Sequence, residues 1–235
     1  MKRILVVRTG EAPAAVTARH GGFGEWFGRH LAPRAEVELA DARAPLPPPG
    51  RYDGVVLTGS IDSVTAWAPW MEATALWCLG AARGRPVLGV CFGHQLLGRA
   101  LGARVERNPR GPEAGTAEVI LTDEGRADPL FDRLPARLPV QQAHQDHVAT
   151  VPPGAVRLAW NDRTPVQAFG AGDAIRAVQF HPEFDAARCR AVTEWDRPSL
   201  DTARPGGCSG ALGSIRETPA AERILANWLG RFVGA

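Results

Sequence analysis

Three side chains in this sequence have the types and spacing that a thiol-based catalyst needs. Cys91 directly follows the apolar run Val87–Val90 and has one glycine two residues before it and another two residues after it. His181 and Glu183 lie two residues apart at the end of a second apolar run. A thiolate nucleophile requires a histidine as base and proton donor, and the histidine requires an acceptor that orients it. The three residue types together indicate nucleophilic catalysis by cysteine.

The position of Cys91 between a strand and a helix favours a chemical role. The run 86–90 predicts a parallel strand and 92–101 has helical spacing, so the turn would hold the thiol above the edge of the sheet. Unpaired N–H groups at the start of that helix favour a thiolate and can bind the oxyanion of a tetrahedral intermediate. The glycine pattern by itself leaves a second interpretation open, in which Cys91 is a small buried hydrophobe.

The pair His181 and Glu183 can reach one place from one short segment. Residues two apart on an extended chain point to the same side, and Pro182 keeps its neighbour extended. His-x-Glu alone is also compatible with an exposed ion pair. Its combination with a Gly-x-Cys-x-Gly-x-Gln corner and a strand–helix order favours catalysis. The other cysteines lack such surroundings and are predicted to be structural: Cys78, Cys189 and Cys208.

The elements that must position these residues alternate between strands and helices in the first half of the chain. Apolar runs and amphipathic spacing predict strands at 3–8, 35–40, 52–60 and 86–90, and helices at 23–31, 69–83 and 92–101. This alternation predicts an α/β fold of three layers, with a mostly parallel central sheet flanked by helices. Short strand candidates in the second half predict a smaller mixed or antiparallel sheet.

The end of the chain has a different composition. We predict a helix at 184–195, a Gly/Pro/Ser-rich loop at Arg197–Ser214 and a closing helix at 219–232. The loop is expected to be a surface excursion, because most long loops have no specific role. No internal repeat and no clean domain boundary is recognisable, so residues 1–235 are predicted to form one domain.

Composition narrows the classes of function. A net charge of +2 without a basic run argues against nucleic acid and anionic membranes as partners. No apolar run approaches the ~18 residues that span a bilayer. Lys2 is the only lysine, which excludes P-loop and Schiff-base lysine chemistry. Neither an export signal nor a Cys-x-x-Cys pair is recognised, so we expect a cytoplasmic protein with reduced thiols.

Three motifs resemble the class I, triad-type glutamine amidotransferase family. They are LGVCFGHQLLGRALGA, VVLTGSIDSV and AVQFHPEF, in the family's order and spread over most of the chain. The resemblance implies a flavodoxin-like fold in which Cys91 attacks the γ-carboxamide carbon of glutamine. His181 would be the general base and acid, and Glu183 would orient it. A γ-glutamyl thioester would form, ammonia would leave and water would release glutamate, without a cofactor.

The resemblance also implies an oxyanion hole. Its donors would be the backbone N–H of Phe92 and one from the turn at Gly59 and Ser60. The family's turn usually reads Gly-Gly-Pro-x-Ser, whereas this chain has Gly-Ser-Ile-Asp-Ser at 59–63. A serine in the second position still donates its N–H, but it restricts a flip of the peptide.

Further residues are expected near the substrate on the same grounds. Gln95 matches the family's motif glutamine, which helps to shape the substrate site. The stretch QQAHQDHV resembles the segment whose backbone holds the substrate's α-amino and α-carboxylate groups, which implies Gln142, Ala143 and His144. The spacing of the histidines and the aspartate in this stretch fits no common metal site, so no metal is expected.

Several functions remain open. The chain resembles stand-alone members related to the amidotransferase half of guanylate synthase, and it would then supply ammonia to a separate synthase subunit. Alternatively, it hydrolyses γ-glutamyl amides or peptides alone by the same route. A non-catalytic regulatory relative is a third hypothesis, against which the intact Cys91, His181 and Glu183 argue. An α/β-hydrolase is disfavoured because its acid and histidine lie apart in the chain. The oligomeric state is not predicted.

Overall fold

The computed structural model describes residues 1–234. The strands are β1 (Lys2–Arg8), β2 (Ala35–Asp41), β3 (Gly54–Leu57), β4 (Val87–Val90), β5 (Val105–Arg107), β6 (Glu113–Leu121), β7 (Arg137–His144), β8 (Asp146–Val148), β9 (Ala155–Trp160), β10 (Ala168–Ala171) and β11 (Ile175–Val178). The helices are α1 (Ala14–His20), α2 (Phe23–Leu31), α3 (Pro69–Ala81), α4 (Phe92–Ala100), α5 (Asp123–Ala127), α6 (Ala186–Trp195), α7 (Arg197–Ala203), α8 (Gly207–Ser214) and α9 (Pro219–Trp228). A π-helical turn, Leu229–Val233, follows α9.

Nine strands form one sheet whose two halves differ in strand direction. The order is β2-β1-β3-β4-β11-β10-β9-β6-β7. The strands from β2 to β11 run parallel, and those from β11 to β7 pair antiparallel. A separate antiparallel ribbon consists of β5 and β8. The predicted α/β fold is confirmed, and most of the second-half strands extend the main sheet.

Helices cover both faces of this sheet and bury two apolar clusters. Alternate residues of β1 face opposite sides, as a strand requires. Ile4 and Val6 belong to the cluster under α2 and α9, whereas Leu5 and Val7 belong to the cluster under α3 and α4. The three predicted layers are therefore present. No helix within residues 1–234 has the length and apolar content needed to cross a bilayer.

The segment Arg197–Ser214 lies largely at the surface, as its composition predicts, but it is not a loop, since it forms α7 and α8. Leu200 and Cys208 are buried and anchor the two helices. Two glycines at the contacts of these helices allow close packing. A Cβ on Gly207 would lie 2.3 Å from the carbonyl oxygen of Leu200, and one on Gly115 of β6 would lie 2.5 Å from a carbonyl oxygen of α8. The prediction of a loop failed because a glycine in a close helix contact cannot be distinguished locally from one in a loop.

Candidate active site

Cys91 is the single residue that connects the end of β4 at Val90 to the start of α4 at Phe92. Cys91 has φ 53° and ψ −103°. In the described part of the chain, Arg133 is the only other non-glycine residue with a positive φ. A conformation of this kind costs about 1–3 kcal/mol and persists where the surrounding structure fixes it. The side chain of Cys91 is 4% exposed and lines a cavity of about 330 Å³.

The glycines on either side of Cys91 are required because α4, β3 and β4 meet there. A Cβ on Gly89 would lie 2.7 Å from the carbonyl oxygen of Gly93. A Cβ on Gly93 would lie 2.8 Å from the carbonyl oxygen of Leu57. Both distances are shorter than carbon–oxygen contacts allow, so a side chain at either position would push α4 away from the sheet. The two glycines therefore determine how closely the start of α4 approaches the strands.

His181 and Glu183 lie just beyond β11, the parallel neighbour of β4. The backbone N–H of Cys91 donates to the carbonyl of Val178 over 2.9 Å, which places the two strand ends side by side. Nδ1 of His181 is 2.7 Å from Oε1 of Glu183, and both side chains are buried. The imidazole stacks on Phe184 with ring centroids 4.0 Å apart. The ring is thus held on one side by a carboxylate and on a face by an aromatic ring.

The charge state of His181 follows from these neighbours. Burial by itself lowers the pKa of the imidazole, because it penalises the charged form. The Glu183 carboxylate and the Cys91 thiol group outweigh burial and raise the pKa of His181 to about 10. The imidazolium is therefore favoured at neutral pH, with a proton available beside the thiol.

The turn after β3 closes the site on the opposite side. A Cβ on Gly59 would lie 3.1 Å from Cε1 of His181 and 3.7 Å from Cβ of Cys91. The next residue, Ser60, lines the cavity. The N–H groups of Ser60 and Phe92 find no backbone acceptor within residues 1–234. Of the residues that the resemblance assigns to the oxyanion hole, Ser60 lines the cavity, whereas Gly59 and Phe92 do not.

The residues expected near the substrate divide into two groups. Gln95, Ala143 and His144 line the same cavity as Cys91, and the carbonyl oxygen of Ala143 is 3.8 Å from Sγ of Cys91. Gln142 does not line the cavity. Its side chain is buried and donates to Oε1 of Gln167 over 3.1 Å. Adjacent side chains of β7 face opposite sides of the sheet, and the Gln142 side chain is on the side of Gln167.

Two of these cavity residues are held by polar contacts from distant segments. Nε2 of Gln95 donates to the carbonyl of Asp146 over 2.8 Å. Nδ1 of His144 lies 2.9 Å from the same carbonyl oxygen, and Nε2 of His144 lies 3.5 Å from the buried Glu113 carboxylate. These contacts fix the orientation of the wall that faces the thiol.

The outer wall of the cavity consists of residues that sequence reasoning did not single out. It combines α2, the β5–β8 ribbon and the α6–α7 junction. Arg107 donates to the side chain of Gln145, which donates to Ser199. At the rim, Ile61 is 55% exposed and Trp195 is 45% exposed. No local pattern in the sequence marks these residues, because they come from segments far apart in the chain.

The model of the family described as glutamine amidotransferase class-I matches residues 29–191. The chain therefore belongs to this family of cysteine-dependent amidohydrolases, in agreement with the resemblance of its motifs. γ-Glutamyl peptidase 5 of Arabidopsis thaliana is 32% identical over 138 residues, which cover 57% of this chain and 55% of the peptidase. The glutamine-hydrolyzing GMP synthase of Thermomicrobium roseum is 40% identical over 188 residues, which cover 73% of this chain and 32% of the synthase.

The chain thus spans about half or less of the length of these relatives. A solved structure of a glutamine amidotransferase from Thermotoga maritima superimposes with a TM-score of 0.79. The two chains are 23% identical, and the match covers 100% of this chain and 99% of the other. This similarity shows the fold of the family along the whole chain.

Proposed function

We propose that this protein hydrolyses γ-glutamyl amides through a thioester on Cys91. The observation that carries the proposal is the arrangement around one cavity. A thiol on a strained strand–helix corner lies beside an imidazole whose Nδ1 is 2.7 Å from a buried carboxylate. This is the relation between nucleophile, base and orienting group that covalent acyl transfer requires.

The chemistry would proceed in two halves. The thiolate of Cys91 attacks the γ-carbonyl carbon, and the π electrons move onto the oxygen. The N–H groups of Ser60 and Phe92 donate to this oxyanion. The imidazolium of His181 gives its proton to the leaving nitrogen, the C–N bond breaks and a thioester remains.

The second half restores the thiol. His181, now neutral, accepts a proton from water as the water oxygen attacks the thioester carbon. The C–S bond breaks, glutamate leaves and Cys91 recovers its thiolate beside the imidazolium. Throughout, Glu183 holds Nδ1–H, so that Nε2 is the nitrogen that carries the transferred proton.

The γ-glutamyl part would be held by the cavity residues next to the thiol. Gln95 and the residues Ala143 and His144 line the cavity with the thiol. The Gln95 carboxamide already donates to Asp146 and Gln179, so its oxygen and the Ala143 carbonyl are the acceptors available to an α-amino group, which must be paired when it loses water.

The size of the cavity favours γ-glutamyl amides with a large leaving amine over glutamine, whose leaving group is ammonia. The cavity of about 330 Å³ extends to the rim formed by Ile61 and Trp195. Exposed apolar side chains at the mouth of a cavity favour an amine with an apolar substituent. The identity to a γ-glutamyl peptidase is consistent with this substrate class.

Ammonia donation to a separate synthase subunit is the second candidate. It is favoured by the 40% identity to a glutamine-hydrolyzing GMP synthase. In that case the leaving group is ammonia, and the synthase subunit that accepts it would bind over the rim formed by Ile61 and Trp195.

The test is the release of glutamate and free amine from the purified chain. Glutamine should be compared with γ-glutamyl derivatives of methylamine, glycine, phenylalanine and phenethylamine, with Cys91→Ala as the blank. Faster turnover of the larger amides is expected. If glutamine were the preferred substrate, ammonia donation would replace amide hydrolysis as the proposed role. If no compound were turned over or labelled Cys91 covalently, the proposed function would be wrong.

A further inference from the structure

We infer that Thr9 and Thr58 are positioning residues, which hold the Gly59–Ser60 peptide in the orientation that a formed oxyanion hole requires. The inference rests on the proposed function and adds a regulatory consequence. A hole that the chain forms by itself needs no partner protein for turnover.

The carbonyl oxygen of Gly59 is surrounded by two buried hydroxyl groups. Oγ1 of Thr58 lies 2.9 Å from it and Oγ1 of Thr9 lies 3.0 Å from it. The single hydroxyl proton of Thr9 is shared between this oxygen and the carbonyl oxygen of Thr58, which lies 2.9 Å away. The Thr58 hydroxyl is itself oriented, because it accepts the backbone N–H of Thr9 over 3.1 Å and so directs its proton to Gly59. Both threonines are fully buried. The carbonyl of Gly59 therefore points into the protein interior.

The other polar group of this peptide, the N–H of Ser60, must then point toward the cavity. No peptide bond in residues 1–234 is cis, so the N–H of Ser60 is directed away from the Gly59 carbonyl. Ser60 lines the cavity, whereas neither threonine does. The space beside Gly59 is occupied by Cys91 and His181, with Cβ of Cys91 3.7 Å from where a Gly59 Cβ would be. The unpaired N–H of Ser60 thus lies on the side of the peptide that faces the thiol.

The serine at position 60 opposes the alternative orientation. A peptide flip rotates ψ of one residue and φ of the next by about half a turn. Ser60 does not have a positive φ in the structure. A flip would drive it toward positive φ, which a residue with a Cβ adopts reluctantly. Its side chain is also engaged, since Oγ of Ser60 donates to Asp62 over 2.9 Å and Asp62 pairs with Arg43.

The experiment measures kcat and KM for a γ-glutamyl amide with no other protein present. Thr58→Val removes the hydroxyl at nearly constant volume. We expect kcat to fall by about 10- to 100-fold with little change in KM, since losing an oxyanion donor outright costs about 10²–10³ in kcat. Thr58→Ser keeps the hydroxyl and should recover most of the activity. Thr9→Val, which leaves the Thr58 hydroxyl in place, should show a smaller fall in kcat.

Alkylation of Cys91 by iodoacetamide separates positioning from damage to the fold. This displacement at a saturated carbon develops no oxyanion, so its rate should equal the unmodified protein's rate in all three variants. An unchanged kcat in both valine variants would overturn the inference. So would a loss of kcat matched by an equal loss of alkylation, because the lesion would then lie in the thiol–imidazole pair or the fold.

The unmodified chain distinguishes this inference from the proposed function. Turnover of a γ-glutamyl amide by the chain alone is the expected result. If 6-diazo-5-oxonorleucine, a glutamine-analogue electrophile, labelled Cys91 but no amide were turned over, the γ-glutamyl specificity would stand and the preformed hole would be wrong. If it labelled no faster than its des-amino analogue and no amide were turned over, the proposed function would fail first.

Discussion

The inner and outer walls of the cavity are built in different ways. The inner wall, with Cys91, His181 and Gly59, lies at the ends of adjacent parallel strands, where backbone atoms nearly touch. The outer wall, with Ile61 and Trp195, consists of side chains from helices and turns that are partly exposed. A Cβ on Gly89 or Gly93, beside Cys91, would lie within 2.8 Å of a backbone oxygen, whereas a Cβ on Gly28 of α2, in the outer wall, would meet no atom within 4 Å. The contrast suggests that the inner wall determines the reaction and the outer wall determines which amine leaves.

The largest expected effect comes from removing the nucleophile of the inner wall. Cys91→Ala should lower kcat by about 10⁵-fold or more, because members of a catalytic triad act as a unit. Its melting temperature should stay near that of the unmodified protein. The matched control is Cys78→Ala, which removes a buried thiol of α3 that does not line the cavity and should retain turnover. Comparable activity in Cys91→Ala would contradict the nucleophile assignment.

Removing the charge of Glu183 should have the next largest effect. Glu183→Gln keeps an acceptor for Nδ1–H but removes the anion that favours the imidazolium. The pKa of His181 should fall, because the protonated ring loses its main stabilising charge. We expect kcat to drop by about 10²–10⁴. NMR titration of the His181 ring checks the direction, and an unchanged pKa would show that Glu183 has no electrostatic role.

The four cysteines should differ strongly in reactivity. Burial raises the pKa of Cys78 and Cys208, and it raises the pKa of Cys189 to about 12. Cys91 borders the cavity beside an imidazolium, so iodoacetamide at neutral pH should modify it first. Mass spectrometry of peptides after short exposure measures the order. Faster modification of any other cysteine would mean that the corner does not activate its thiol.

A pair of glycine substitutions compares packing in the two regions directly. Gly93→Ala places a Cβ 2.8 Å from a backbone oxygen of β3, so it should destabilise the protein by about 1–3 kcal/mol and lower kcat. Gly28→Ala in α2 meets no atom within 4 Å and should be neutral or stabilise by about 0.5–1 kcal/mol. Urea unfolding of both variants provides the measurement. Equal effects would remove the proposed difference in packing.

The smallest effect is expected at the rim. Trp195→Ala should lower kcat/KM for γ-glutamyl phenethylamide by about tenfold, the scale of one lost apolar contact. Turnover of glutamine should change by no more than about twofold, since ammonia does not reach the rim. The ratio of the two kcat/KM values is the readout. An equal loss for both compounds would mean that Trp195 affects the reaction itself and not the choice of leaving amine.

Sequence reasoning was most successful where the determining contacts are local. The run 86–102 predicted a strand, a tight corner and a helix, and β4, Cys91 and α4 have this arrangement. The segment 178–183 predicted that imidazole and carboxylate share one side, and Nδ1 of His181 meets Oε1 of Glu183. Both depend on the alternation of side chains along a short extended segment, which the sequence displays directly.

Two features were not evident from the sequence: the helices of Arg197–Ser214 and the direction of the Gln142 side chain, which lies against Gln167. The first segment is helical because distant partners bury Leu200 and Cys208, which composition does not reveal. Gln142 and its neighbour Ala143 on β7 differ because strand register decides which side chain faces the cavity.

The class of fold, the thiol corner and the imidazole–carboxylate pair were predictable from the chain alone, because each follows from periodicity or from residues within a few positions of one another. Tertiary structure alone decided the outer wall and the surroundings of the Gly59 carbonyl. Thr9 reaches that carbonyl across 50 residues because β1 pairs with β3. Contacts of this range depend on which strands become neighbours, and no local pattern in the chain encodes them.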